Sequence, residues 1–260
     1  MTGMDATSGQ GVEVRGVSKL FESRAGRNTA VSAVDLTIEP GQFVSLLGPS
    51  GCGKTSLLRM IGGLLEPTTG TVTIDGRPVA EAVEARKFGF VFQDPTLLPW
   101  RTVRANAMLL LDVIGRQSEQ ARVDALLQTV GLSNFSNHYP AQLSGGMRQR
   151  VALARALALD PEILLMDEPF AALDAITRER LGVELLGIWD GARSVVFVTH
   201  SIAEAVLLSD RVVVMSTSPG RIVADIAIDI PRPRNGSVRS TDAFKAYEDR
   251  LRDLIEGVRA

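Results

Sequence analysis

The residues best suited to chemistry follow an apolar run. Phe43–Leu47 leads into Gly48-Pro49-Ser50-Gly51-Cys52-Gly53-Lys54-Thr55, with Ser56 next, and the string fits G-x-x-x-x-G-K-[ST] in full. Glycines at this spacing let backbone N–H groups curl round phosphate oxygens, and the start of the helix that follows adds partial positive charge. Lys54 would reach the outer phosphates and the Thr55 hydroxyl would ligate Mg²⁺. Cys52 stands at a free position, where any small residue fits. The loop alone names a broad class of nucleotide-binding proteins that includes kinases, GTPases and motors.

A second group is acidic. Ile163–Met166 is a buried-strand pattern that runs into Asp167 and Glu168. The carboxyl ends of parallel strands are where α/β sheets bind ligands. Asp167 there can hold Mg²⁺ and its waters, and Glu168 can accept a proton from an attacking water. A third group, Leu143-Ser144-Gly145-Gly146-Met147-Arg148-Gln149, opens a helical run. Ser144 is a good N-cap, and the two glycines leave backbone N–H groups open to an anion. By itself this reads first as an ordinary capped helix.

The elements that must position these groups alternate. Strand-like runs at Val12–Val17, Val31–Ile38, Phe43–Leu47, Thr71–Ile74, Phe88–Phe92, Ile163–Met166, Val195–Val198 and Val212–Met215 are interleaved with helical patterns at Lys54–Leu65, Gly145–Ala158 and Thr177–Trp189. Alternation of this kind predicts a mainly parallel sheet covered on both faces. The first strands follow one another without helices, which predicts an antiparallel β portion near the N-terminus. Pro95–Asn137, with a helical pattern at Ser118–Val130, reads as a helical insert, and Asp242–Val258 as a last amphipathic helix.

Bulk properties narrow the classes. With 45% hydrophobic and 22% charged residues the chain is ordinary for a globular protein, and a net charge of −2 makes no electrostatic case for nucleic acid. Apolar runs fall short of the ~20 residues a spanning helix needs. Met1–Gly11 lacks the basic end and apolar stretch of a signal peptide, and one cysteine makes no internal disulfide, so a cytosolic chain is expected.

With these motifs in this order, the sequence resembles the ABC ATPase family from about Val12 to Met215. Leu-Ser-Gly-Gly-x-x-Gln is that family's signature, here Leu143 to Gln149. The resemblance implies an α/β, P-loop (RecA-like) fold with an antiparallel N-terminal portion and a helical insert. It implies one nucleotide-binding domain over residues 1–260, with a helical subdomain at about 94–158 and a C-terminal extension at about 220–260. ATP and Mg²⁺ are the implied cofactors. Gln93 matches the glutamine that touches Mg²⁺ and the attacking water; His200 matches the histidine that holds the γ-phosphate. Phe21 matches the aromatic stacked on adenine, and Ala172-Leu173-Asp174 the loop at the dimer interface. Ser144, Gly145, Gly146, Gln149 and Asp174 would meet the ATP held by a second copy, so a productive site needs two chains. His138 matches no family position and reads as a surface residue.

The finer resemblance, in Phe92–Trp100, Leu143–Val151 and Phe197–Ala205, is to the ATPases of bacterial importers for nitrate, sulfonates, taurine and related small organic acids. It implies separate permease subunits, a substrate-binding protein acting indirectly, and a peripheral place on the cytoplasmic face of the inner membrane. Only about ninety residues separate Lys54 from Ser144, too few for the coiled coils of DNA-repair members. A non-transport ABC ATPase, such as an assembly factor, is the alternative. Leu97, Leu98 and Trp100 either dock a permease helix or pack the insert, and both readings stay open. Arg232, Arg234 and Arg239 are expected in a solvated loop, with acidic lipid or a partner as the lesser reading.

Overall fold

The computed structural model describes residues 11–23, 26–189 and 191–258. The reading of the leader therefore lies, for residues 1–10, outside the described residues. In chain order the elements are β1 (Val12–Ser23), β2 (Gly26–Ile38), β3 (Phe43–Leu47), α1 (Lys54–Ile61), β4 (Thr69–Ile74), β5 (Arg77–Pro78), α2 (Val79–Glu84) and β6 (Phe88–Val91). Then come α3 (Val103–Val113), α4 (Gln120–Thr129), α5 (Gly145–Leu157), β7 (Ile163–Asp167), α6 (Ala175–Ile188), β8 (Ser194–Thr199), α7 (Ile202–Leu208), β9 (Arg211–Met215), β10 (Ile222–Ala227) and α8 (Asp242–Gly257).

Six strands form one sheet in the order β10-β9-β3-β8-β7-β6, parallel except for β10. Its central strands are apolar on both faces because both are covered. Phe43 and Leu47 of β3, Leu164 and Met166 of β7, and Val195 and Phe197 of β8 pack on α6, α7 and α8. Their neighbours Val44, Leu46, Ile163, Leu165, Val196 and Val198 pack on α1 and the second sheet. That second sheet is antiparallel, in the order β2-β1-β4-β5. The antiparallel N-terminal portion is thus present, with β1 and β2 longer than the β-branched runs because they go on pairing as far as Ser23 and Gly26.

The helical run predicted at Lys54–Leu65 stops at Ile61. Gly62 backs onto the Phe90 ring, where an added Cβ would lie 2.4 Å away, and Gly63 turns the chain at φ 67°. Helices α3, α4 and α5 enclose a cluster of their own, built on Val103, Leu111, Val123, Leu127, Val151 and Ala154.

The tail corrects the sequence reading. Arg234 is 4% exposed, not solvated. It donates to the carbonyls of Val206, Leu207 and Ser209 at the end of α7 and to those of Ile228 and Ile230. Five carbonyls on one planar fork explain why a buried guanidinium is tolerated here. Burial lowers its pKa to about 10, which leaves it charged at neutral pH. Arg232 lies over the Trp189 ring at 4.2 Å and pairs with Asp210. Arg239 reaches Glu179 at 3.4 Å. These three arginines pin the C-terminal segment to the core.

Candidate active site

Strand register assembles the site. On β3, Leu47 lies level with Thr199 of β8; on β7, Asp167 lies level with Val198 of β8; on β6, Val91 lies level with Met166 of β7. Four adjacent strands therefore end on one edge. The residues just past those ends are the Gly48–Thr55 loop, His200, Glu168 and Gln93.

The loop curls over the start of α1. Gly53 caps that helix at φ 93°, and a Cβ there would meet the Ala30 carbonyl at 2.5 Å, so glycine is required on two counts. Lys54 is buried, and its ammonium donates across the loop to the Gly48 and Pro49 carbonyls at 2.8 and 2.7 Å. Cys52 is buried with its Sγ 3.6 Å from Lys54 Nζ. One concavity is lined by Ala30, Ser50–Ser56, Gln93 and Glu168. A second, lined in part by Thr55, Arg59, Gln93, Arg148, Asp167 and Ala172, shares Thr55 and Gln93 with it.

Thr55 Oγ1 donates to Asp167 Oδ1 at 2.8 Å. Burial pushes the Asp167 carboxyl up, against the opposing pull of that hydrogen bond and of Arg59 and Lys54. A buried carboxylate with a hydroxyl and the Gln93 amide beside it is an all-oxygen donor set, which fits a hard cation such as Mg²⁺ completed by phosphate and water. Glu168 turns the chain sharply at φ 44°, with its N–H on the Val198 carbonyl at 3.0 Å. Its Oε2 lies 3.1 Å from His200 Nδ1; the two side chains are 19% and 49% exposed.

Other residues singled out in the sequence do not line the loop concavity. Ser144 caps α5, its Oγ accepting from the Met147 N–H at 3.3 Å. Gly146 packs so close to α6 that a Cβ would lie 2.9 Å from Thr177 Cγ2. Asp174 caps α6 by accepting from the Thr177 N–H at 3.0 Å, which lowers its pKa. Gln149 turns inward, buried, and donates to the Phe92 carbonyl at 3.4 Å. Phe21 lies on β1, 41% exposed, with Lys19 Nζ 5.4 Å above its ring. His138 is half-buried and tilted against Phe135.

Two supports escaped the sequence reading. Arg155 of α5 is buried and grips Pro95 and Thr96, just past Gln93, through the Pro95 carbonyl at 2.7 Å and the Thr96 carbonyl at 3.0 Å. Asn106 is fully buried; its amide donates to the carbonyls of Leu98, Arg101 and Thr102 and accepts from the Leu98 N–H. The loop held by these two residues divides the open question about Leu97–Trp100. Leu97 packs against the core, while Trp100 stands 70% exposed. Nothing in a helical arginine or asparagine announces such a role; the only signal was that both occupy otherwise apolar faces.

Residues 31–171 match the model of the ABC transporter family. The chain is 47% identical over 248 residues to an uncharacterised ABC transporter ATP-binding protein of Methanocaldococcus jannaschii, covering 94% of this chain and 91% of that one. It is 46% identical over 253 residues to a taurine import ATP-binding protein of Rhizobium johnstonii, covering 95% of each. It is 41% identical over 256 residues to a nitrate import ATP-binding protein of Synechocystis, again covering 95% of each. Among solved structures, a dimeric post-hydrolysis ATP-binding cassette with ADP and Pi superposes with a TM-score of 0.75 at 34% identity, covering 85% of this chain and 100% of that one.

Proposed function

The chain belongs to the ABC transporter family and is an ATP-binding, ATP-hydrolysing subunit of it, and from that premise we propose that two copies drive a separate permease for import of nitrate, a sulfonate, taurine or a related small organic acid. The taurine and nitrate relatives support that substrate class. Among the described residues no helix is long and apolar enough to cross a membrane, which suits a subunit that works through a permease. We place it peripherally on the cytoplasmic face, with a substrate-binding protein delivering cargo from the other side. Residues 94–158 serve as the helical subdomain, and Trp100 on its exposed loop meets the permease.

The observation that carries the catalytic reading is the convergence of four strand ends on one edge. Backbone N–H groups of Gly51–Thr55 and the start of α1 cradle the phosphates, and Lys54 neutralises their outer charge. Thr55, Gln93 and Asp167 would hold Mg²⁺, whose charge supplies electrostatic stabilisation of the leaving phosphates. Glu168 takes a proton from the attacking water, and His200, 3.1 Å from Glu168 Oε2, holds the γ-phosphate beside that carboxylate. Ser144, Gly145 and Gly146 do not line the chain's own loop concavity; they close the site of a second copy, with Asp174 at the contact. Phe21 supplies the adenine face.

Size-exclusion chromatography of Glu168→Gln with saturating MgATP tests the scheme. A stable dimer that returns to monomer when ATP is removed is expected; a chain that stays monomeric overturns the two-copy site.

A further inference from the structure

Behind His200 lies a buried carboxylate that the scheme above leaves without work. Glu204, in the first turn of α7, is 6% exposed. Its Oε2 accepts from Thr199 Oγ1 at 2.6 Å. The same Thr199 hydroxyl accepts from the Ser201 N–H at 3.0 Å, and Ser201 Oγ accepts from the Glu204 N–H at 3.3 Å. The two residues that flank His200 are thereby closed into a ring through Glu204, which leaves the imidazole aimed at Glu168 at 3.1 Å.

The other carboxylate oxygen faces α6. Glu204 Oε1 lies 3.5 Å from Arg178 Nε, and that Nε is buried without a hydrogen bond. Arg178 Nη2 donates to the Leu173 carbonyl at 3.0 Å, one residue before Asp174. A short approach of Arg178 to Glu204 would turn the contact into a charge-assisted hydrogen bond and satisfy the orphaned donor. Two separate loops thus hang on one ion pair whose carboxylate is buried. Such a pair is a poor source of stability but a good device for fixing register between elements.

We propose that Glu204 and Arg178 are positioning residues for hydrolysis, tying the turn that presents His200 to the Ala172–Asp174 segment so that both loops are set together. The proposal rests on the reading in which His200 serves the reacting phosphate and residues 172–174 meet a second copy. A partner pressing on the exposed Ala172 and Asp174 would shift the Leu173 carbonyl between them, move Arg178, close the ion pair and fix the Thr199–Ser201 turn. Hydrolysis then waits for dimer contact, while ATP binding to one chain does not.

Steady-state ATPase kinetics of the full-length protein test this, with nucleotide affinity measured alongside. Glu204→Gln keeps shape and an acceptor for Thr199 but removes the charge that meets Arg178. It should lower kcat by about tenfold to a hundredfold, as a small misplacement of a reacting group does, with KM and nucleotide affinity within about twofold. Adding Arg178→Met should lower kcat no further, and adding Glu204→Gln to His200→Ala should be silent. Arg178→Lys, which keeps the charge, should recover part of what Arg178→Met loses; this pair carries the test if Glu204→Gln folds poorly. Additive losses, or parallel loss of affinity and kcat, would show a merely structural role and overturn the proposal. Wild-type kcat in Glu204→Gln with activity lost in His200→Ala overturns this proposal alone. Wild-type kcat in both overturns it together with the assignment of His200.

Discussion

Thr55 Oγ1 donates to Asp167 Oδ1 at 2.8 Å, joining the first turn of α1 to the last residue of β7 across 112 positions of sequence. The contact places the hydroxyl and the carboxylate that would share a cation side by side before any cation is considered.

Ionising Asp167 costs the fold stability. Burial is the largest cause of its raised pKa, so the fold prefers the neutral carboxyl. The cost of ionising it is absent below the unfolded value, sets in as pH rises toward the folded value, and is full above that. Asp167→Asn keeps the acceptor for Thr55 and removes the charge. The nucleotide-free variant should melt higher than wild type near about pH 7, with the gain fading toward about pH 4. Its ATPase kcat should fall by about a hundredfold or more. Scanning fluorimetry against pH checks the first outcome; a lower melting temperature at neutral pH contradicts it.

Gly220 lies under the phosphate loop. Its N–H donates to the Ala30 carbonyl, Ser32 donates to its carbonyl, and an added Cβ would lie 2.0 Å from the Cys52 carbonyl oxygen. Gly220→Ala must push the loop upward. An overpacked contact of this kind costs about 1–3 kcal/mol, so ATP affinity should weaken by about tenfold. Titration with a fluorescent nucleotide reads it, and unchanged affinity would show that the loop yields without losing its shape.

Arg234 anchors the C-terminal segment through five carbonyls. Lysine is a point donor that cannot span them. Arg234→Lys should cost about 2–4 kcal/mol and lower the melting temperature by about 5–15 °C. The kcat of the folded fraction should stay at the wild-type value, since the residue is remote from the strand ends. Thermal melts and active-fraction assays separate the two.

Trp100 is exposed on a loop that Asn106 and Arg155 hold from beneath. Trp100→Ala should change stability by less than about 0.5 kcal/mol, as exposed substitutions do, and leave nucleotide affinity intact. In a reconstituted transporter it should separate ATP hydrolysis from transport. Loss of fold or nucleotide binding instead would assign the ring to packing.

The sequence by itself determined the local chemistry. The glycine loop, the acidic strand end and the Ser144 cap each need particular residue types at fixed short spacings, and short spacings survive in any correct fold. Continuous apolar strand-like runs between helical patterns likewise pointed to a covered, mainly parallel sheet. Tertiary structure alone decided what depends on long-range register. The sequence could not say that Leu47, Thr199, Asp167 and Val91 end on one edge, because strand order is set by how the apolar faces pack, not by any local pattern. Nor could it separate Leu97 from Trp100, or Arg234 from a solvated arginine. A charged side chain in a proline-rich loop looks the same in sequence whether water or five carbonyls surround it, and only the packed chain brings those carbonyls to one place.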